Sequence, residues 1–311
     1  MTDIAPVLVT VTPGWAAYSS AERPGRGTMP PRSTPTARQE RLGAELRKIR
    51  ERAGVTARAA AALLGTNPIQ QSAYEAGRSG ISEDRIRRLA AHCACDDQAY
   101  IDALVAMATE RGKGWWEEYR GTIPPPGLSL AELEHHAVRI QTFQMAHIPG
   151  LLQTEDHMRA AFRYGMLSWP RQEQDTAVEF RSRRQQVISA ERATPYEAVI
   201  HEAALRLRVG GAKAARAQLE HILVVSERSH VTVRVVPFDS EDFAGAGYSM
   251  LYVHGPVPQL DTVQMDTGYE VVFLDAESRL KEHRQRFERV STTALSPAAS
   301  RDLITRIAHE I

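Results

Sequence analysis

The stretch 38–92 carries a helical pattern that is broken at Gly54, again at Gly65 to Pro68, and again at Gly77. No long helix can run through it. Glycine ends helices in the left-handed backbone region, and proline is confined to a helix's first turn. What remains is four short helices joined by tight turns. In the first, Leu42, Leu46 and Ile49 recur at helical spacing until Ala53-Gly54 stops it. Thr56 is placed to cap a second helix carrying Ala60, Leu63 and Leu64. Asn67 followed by Pro68 fits an N-cap and first helical position, so a third helix starts there. Ser82 then caps a fourth, with Ile86, Leu89 and Ala90 on its apolar face.

Two short helices around a tight turn are a device for laying the second in a DNA major groove. The start of the third helix offers Asn67, Gln70, Gln71 and Ser72. Side-chain amides there suit adenine edges, because one amide donates and accepts together, so these four are the expected base-reading residues. Arg38, Arg41, Arg47, Lys48, Arg58 and Arg78 are the expected phosphate contacts. The plain alternative is a helical packing unit whose polar face is merely solvated. Charge distribution argues against it. The whole chain of 311 residues is neutral, yet residues 29–92 carry +6 and residues 93–311 carry −6. The basic surplus is confined to the segment that would meet DNA.

The chain is too long for one such module, so at least two domains are expected. Residues 1–37 hold six prolines and little apolar periodicity, and read as a disordered extension in which Met29 could be the true start. Residues 38–111 form the expected helix-turn-helix domain, the helical pattern continuing through Ile101, Leu104 and Val105. Residues 112–126 form a Trp- and Pro-rich connector, with Trp115 and Trp116 suited to a packing joint between domains. Residues 127–311 form a second domain, with helices expected at 130–140, 153–165, 172–192, 212–228, 277–293 and 297–309. Strands are expected at 196–203, 231–238, 248–254, 262–265 and 271–274, and 142–148 reads as a break or a strand. The fold class is therefore α+β: an all-α N-terminal domain followed by a mixed α/β domain.

The second domain holds candidates for a catalytic site. His135 and His136 are adjacent on a helix and face different ways. His147, His201 and Glu202 could add ligands, but the spacing matches no metal motif. There is no P-loop, dinucleotide fingerprint or nucleophile elbow. Cys93 and Cys95 are too few for a disulfide scaffold or a zinc site, and read as small buried hydrophobes. No catalytic residues, no metal and no cofactor are expected. Residues 141–155 and 181–186 bring polar and apolar groups into two stretches that could line a pocket. No apolar run is long enough to span a bilayer, and the chain reads as cytoplasmic.

Residues 38–92 resemble the Xre, lambda-repressor-like helix-turn-helix family. Leu46, Ile49, Arg50, Gly54, Thr56, Ala60, Leu63, Gly65, Tyr74, Glu75, Gly77 and Arg78 carry the likeness. Two positions depart from it: Ala57, where the family often has a phosphate-binding Gln, and Gln71, where it has an apolar core residue. Further runs look like the C-terminal domain of actinobacterial antitoxin-like Xre regulators. These are Gly114 to Tyr119, Leu133 to Ala137, His147 to Glu155, Pro195 to Glu202 and Leu274 to Glu277. The resemblance implies a transcriptional regulator of double-stranded DNA paired with a small partner protein encoded nearby. A homodimer is expected, since two-fold pairing doubles the base contacts. The competing expectation is a hydrolase-type enzyme carrying a DNA-targeting module.

Overall fold

The computed structural model describes residues 35–110, 114–166, 169–191, 193–241, 243, 249–267 and 270–311. The expected disorder of the N-terminal extension falls on residues 1–34, outside the described residues. Order begins before the expected boundary. Thr36 accepts from the Gln39 N–H, and the Gln39 side chain returns the bond, a capping box at the start of α1 (Ala37–Arg52).

Four more helices follow: α2 (Ala57–Leu63), α3 (Pro68–Glu75), α4 (Glu83–His92) and α5 (Gln98–Thr109). Thr56 and Asn67 cap α2 and α3 through their side chains, as their position dictates. Ser82 sits at the N-cap of α4 without a side-chain bond. Leu46, Leu64, Ile86, Leu89 and Leu104 form the dry centre of this unit. Two glycines set its geometry. A Cβ on Gly43 would stand 2.6 Å from the Glu75 carbonyl oxygen, so α1 and the end of α3 meet backbone to backbone. Gly77 has φ +68° and a Cβ there would strike the Gln39 backbone, so it both ends α3 and admits α1.

The second unit is a layered α/β body. Among the described residues six strands form one mixed sheet in the order β3-β2-β1-β4-β5-β6. They are β1 (Arg139–Gln144), β2 (Tyr196–His201), β3 (Val231–Val236), β4 (Met250–His254), β5 (Thr262–Asp266) and β6 (Val271–Leu274). β1, β2 and β3 run parallel, and β4, β5 and β6 continue antiparallel from β1. The parallel part is buried on both faces, which is why β2 reads as a continuous apolar run. Ala198 and Ile200 face one core with α10 (Ala212–Val225) and α12 (Pro297–Glu310), and Val199 faces the other with α11 (Glu277–Thr293). The crossover from β1 to β2 carries α7 (Glu155–Gly165) and α8 (Arg171–Arg184).

Two expectations are corrected here. The helix expected at 130–140 is α6 (Pro125–His135), and Arg139 and Ile140 belong to β1. Pro125 and Pro126 fit the first turn of a helix, where their missing N–H groups cost nothing. Ile140 suits a helix stripe and a strand equally, and pairing with Tyr196 and Val253 decides it. Nor do Trp115 and Trp116 form a joint between domains. They lie in a 3-10 turn, Trp115–Tyr119, packed against Phe180 and the cluster under α6, α7 and α8. The connector is part of the C-terminal body.

The two units touch. Glu132 on α6 accepts from the Thr36 hydroxyl at 3.0 Å and from the Arg38 N–H at 3.3 Å. Leu260, just before β5, inserts into the helical core beside α1 and α5.

Candidate nucleic-acid interface and an internal cavity

α3 is the element placed to enter a groove. Its apolar side is Tyr74, buried against α1, and the opposite side is open. Asn67 and Ser72 are exposed there, and Ile69 is 83% exposed. Gln70 is half-buried, and its amide donates to the Ser79 hydroxyl at 2.7 Å, which fixes its direction. Asn67 uses one amide oxygen to cap the Gln70 N–H at 2.8 Å.

Gln71 is a correction. It is 1% exposed and donates to the Glu75 carboxylate at 2.7 Å, so it points into the core, away from any groove. It keeps the facing of the apolar residue it replaces, because the turn of α3 is set by the Asn67-Pro68 start and by Gly77. Glu75 in turn clamps Arg50 through bonds of 2.5 and 2.8 Å. Burial pushes the Glu75 carboxyl up, but the bonds from Arg50 and Gln71 outweigh it and hold the group below its ordinary value. Ile69 was absent from the expected base readers. Its signal is an apolar side chain in the first turn, off the Gln71–Tyr74 stripe, suited to a thymine methyl.

The six expected phosphate contacts divide evenly. Arg47, Arg58 and Arg78 are exposed. The other three are corrections, because their side chains are already engaged, Arg38 at the end of α5 and Arg41 and Lys48 on the C-terminal body. Arg38 lies 3.2 Å from Glu110. Arg41 donates to the carbonyls of Gln259 at 2.7 Å and Asp261 at 3.2 Å. Lys48 bridges Glu45 at 2.8 Å and Asp275 at 3.2 Å.

The histidines and Glu202 fall into structural settings. His135 and His136 pack their rings on Trp116, and burial lowers His136 to about 3. His201 caps α9 (Glu202–Arg206) by accepting from the Ala203 N–H. Glu202 accepts from the Phe238 N–H and from Arg206. His147 is exposed in the turn after β1. Among the described residues no group of three His, Cys, Asp or Glu side chains is disposed to hold a metal ion. Cys93 and Cys95 are free thiols packed at the edge of the helical core.

The stretches 141–155 and 181–186 do come together, around a cavity of about 680 Å³. Ile148, Leu151, Phe162 and Leu251 supply apolar wall. Arg181, at the cavity wall, lies over the Phe162 ring at 4.6 Å and donates to the Gln153 amide oxygen at 2.7 Å. Burial lowers its pKa to about 9. Arg184 is clamped by both oxygens of Glu134 at 2.6 and 2.8 Å. A second cavity of about 540 Å³ lies between α1 and the C-terminal body.

No helix among the described residues is long and apolar enough to cross a membrane. Comparison with curated proteins and with solved structures finds no match. Two families do match: a helix-turn-helix domain over residues 41–104, and a domain of unknown function, DUF5753, over residues 128–306. The first covers α1 to α5 and the second covers the body from α6 to α12, so the chain belongs to the DUF5753 family and carries a helix-turn-helix domain ahead of it.

Proposed function

We propose that this protein is a sequence-specific regulator of transcription, of Xre type, acting as a homodimer on a two-fold symmetric site in duplex DNA. The observation that carries the reading is the open side of α3: Asn67, Ile69, Gln70 and Ser72 stand at the start of a capped helix, with Arg58 and Arg78 exposed in the same unit. Polar amides and one apolar side chain there suit base edges, while the flanking cations suit phosphates. Only half the expected cations are exposed in this conformation, Arg47 among them paired with Glu51, and α1 is tied to the C-terminal body through Arg41 and Lys48.

The C-terminal body, on this reading, binds an effector and performs no chemistry. Capping and anchoring roles account for His201 and Glu202 without a reaction. The family likeness favours a small partner protein, as in antitoxin-like regulators, and the internal cavity favours a small molecule.

Genomic footprinting combined with pull-down tests both halves. The expected result is a palindromic footprint whose half-sites lie one helical turn apart, together with a dimer in sedimentation at micromolar concentration. A monomer in both the free and the operator-bound state would remove the dimer. Turnover of a substrate by the full chain, lost in His201→Ala with folding intact, would replace this reading with the enzyme.

A further inference from the structure

α6 is a wall between the two cavities. Gly127, Leu130 and Glu134 face the C-terminal cavity, whereas Ser129, Glu132, Leu133 and His136 face the cleft beside α1. These are two helical stripes at i, i+3 and i+4 spacing, on opposite sides of one short helix. The same helix thus holds Arg184 on one side through Glu134, and the N-terminus of α1 on the other through Glu132. β5 repeats the division: Gln264 and Asp266 line the cavity, and Thr262 lines the cleft.

One polar group in the cavity wall is left over. His157 is 5% exposed, and its Nδ1 finds no hydrogen-bond partner among the described residues. An unmet buried polar atom costs about 1–3 kcal/mol, so it calls for a partner that the described residues do not supply. The cavity volume lies in the range of small-molecule sites.

We propose that this cavity binds an uncharged, mainly apolar small molecule carrying one hydrogen-bonding group directed at His157, and that α6 transmits its occupancy to the helix-turn-helix. The proposal rests on the effector-binding reading above and names its ligand class. The absence of charge follows from the wall. Arg181 and Arg184 are set there against the opposing charges of Glu134, buried in the wall, and Asp266, at its exposed edge, and Arg208 is likewise exposed at the rim. A buried ionic head would find no uncompensated counter-charge to offset its desolvation. Transmission follows from shared packing. A molecule that discriminates between two seatings of α6 also discriminates between two seatings of α1, since Glu132 joins them.

The test uses the full chain and Nile red, an uncharged apolar dye with a carbonyl acceptor. Titration should give saturable one-to-one binding. Ala146→Trp, which fills the cavity from a half-buried wall position, should weaken it at least about tenfold with an unchanged circular dichroism spectrum. Decan-1-ol should displace the dye at a concentration at least about tenfold lower than decanoate, its charged chain-matched counterpart. Saturating decan-1-ol should change the affinity for the footprinted duplex by about fivefold or more, and Glu132→Ala should abolish that change. No saturable binding, or binding indifferent to Ala146→Trp, overturns the site. Preference for decanoate overturns the ligand class, and unchanged duplex affinity overturns the transmission. In each of these cases duplex binding by the free protein persists and the regulator reading stands. Saturable dye binding with no affinity for any duplex supports the site and sinks the regulator.

Discussion

The helical unit and the sheet unit hide and expose their polar groups in opposite ways. In the helical unit the candidate base-reading side chains lie outside, on α3, while the charges turned inward, Arg50 with Glu75 and Glu45 with Arg41 and Lys48, are paired. In the sheet unit the polar groups converge from α6, α7, α8 and β5 onto a cavity that opens to the surface beside Tyr164 and Leu207. A groove reader must meet a partner larger than itself, so its face stays open. A cavity must be walled on several sides, so this one is assembled from elements far apart in sequence. The two styles respond differently to substitution and to pH.

The largest effect is expected from the buried pair. Arg50→Met leaves Glu75 without its counter-charge, held only by the Gln71 amide, and should cost about 3–5 kcal/mol in chemical denaturation. A loss below about 1 kcal/mol would mean the pair is solvated. The Glu75 carboxyl is held below its ordinary value, so this contribution is present at neutral pH and fades as pH falls below about 4.

Acid should also act on the sheet unit, earlier and for the opposite chemical reason. His157 falls from 6.5 to about 4 on folding, through burial first and the Arg181 charge second. Between those values the unfolded chain binds more protons than the folded one, so stability drops as pH falls from 6.5 to 4, by up to about 3 kcal/mol for this group. His157→Phe should remove that part of the slope, leaving the His136 part. An identical pH profile in the variant would show that His157 is not buried in the neutral form.

A third comparison sits within α3. Gln70→Ala should lower preference for the footprinted site by about 1–3 kcal/mol, whereas Gln71→Leu should leave that preference intact, since Gln71 faces the core. Equal losses in quantitative footprinting would return Gln71 to the DNA surface. The smallest effect concerns the cations. Arg78→Ala should reduce the slope of log affinity against log salt by about one, and Arg41→Ala, docked on the carbonyls of Gln259 and Asp261, should leave it unchanged. A fall in slope for Arg41→Ala would show that α1 leaves the C-terminal body when DNA binds.

Much of the architecture was readable because it rests on local rules. Gly54, Gly65 and Gly77, the caps Thr56 and Asn67, and the apolar runs of β2, β3 and β6 need only neighbouring residues to act. Residues 125–140 were misplaced because Ile140 satisfies both a helical and a strand pattern, and only its distant partners Tyr196 and Val253 choose. Of the residues expected to face DNA, Asn67, Ser72, Arg47, Arg58 and Arg78 are exposed and the others are engaged within the protein. The sequence by itself determined that a capped helix starts at Pro68 and that basic charge collects around it, because caps and charge are properties of a segment. Tertiary structure alone decided that Gln71 turns inward, that Arg38 turns to Glu110 while Arg41 and Lys48 grip the C-terminal body, and that His157, Arg181 and Glu134 surround one cavity. Facing and convergence depend on which surfaces pack together, and packing is settled by contacts between residues that the chain keeps far apart.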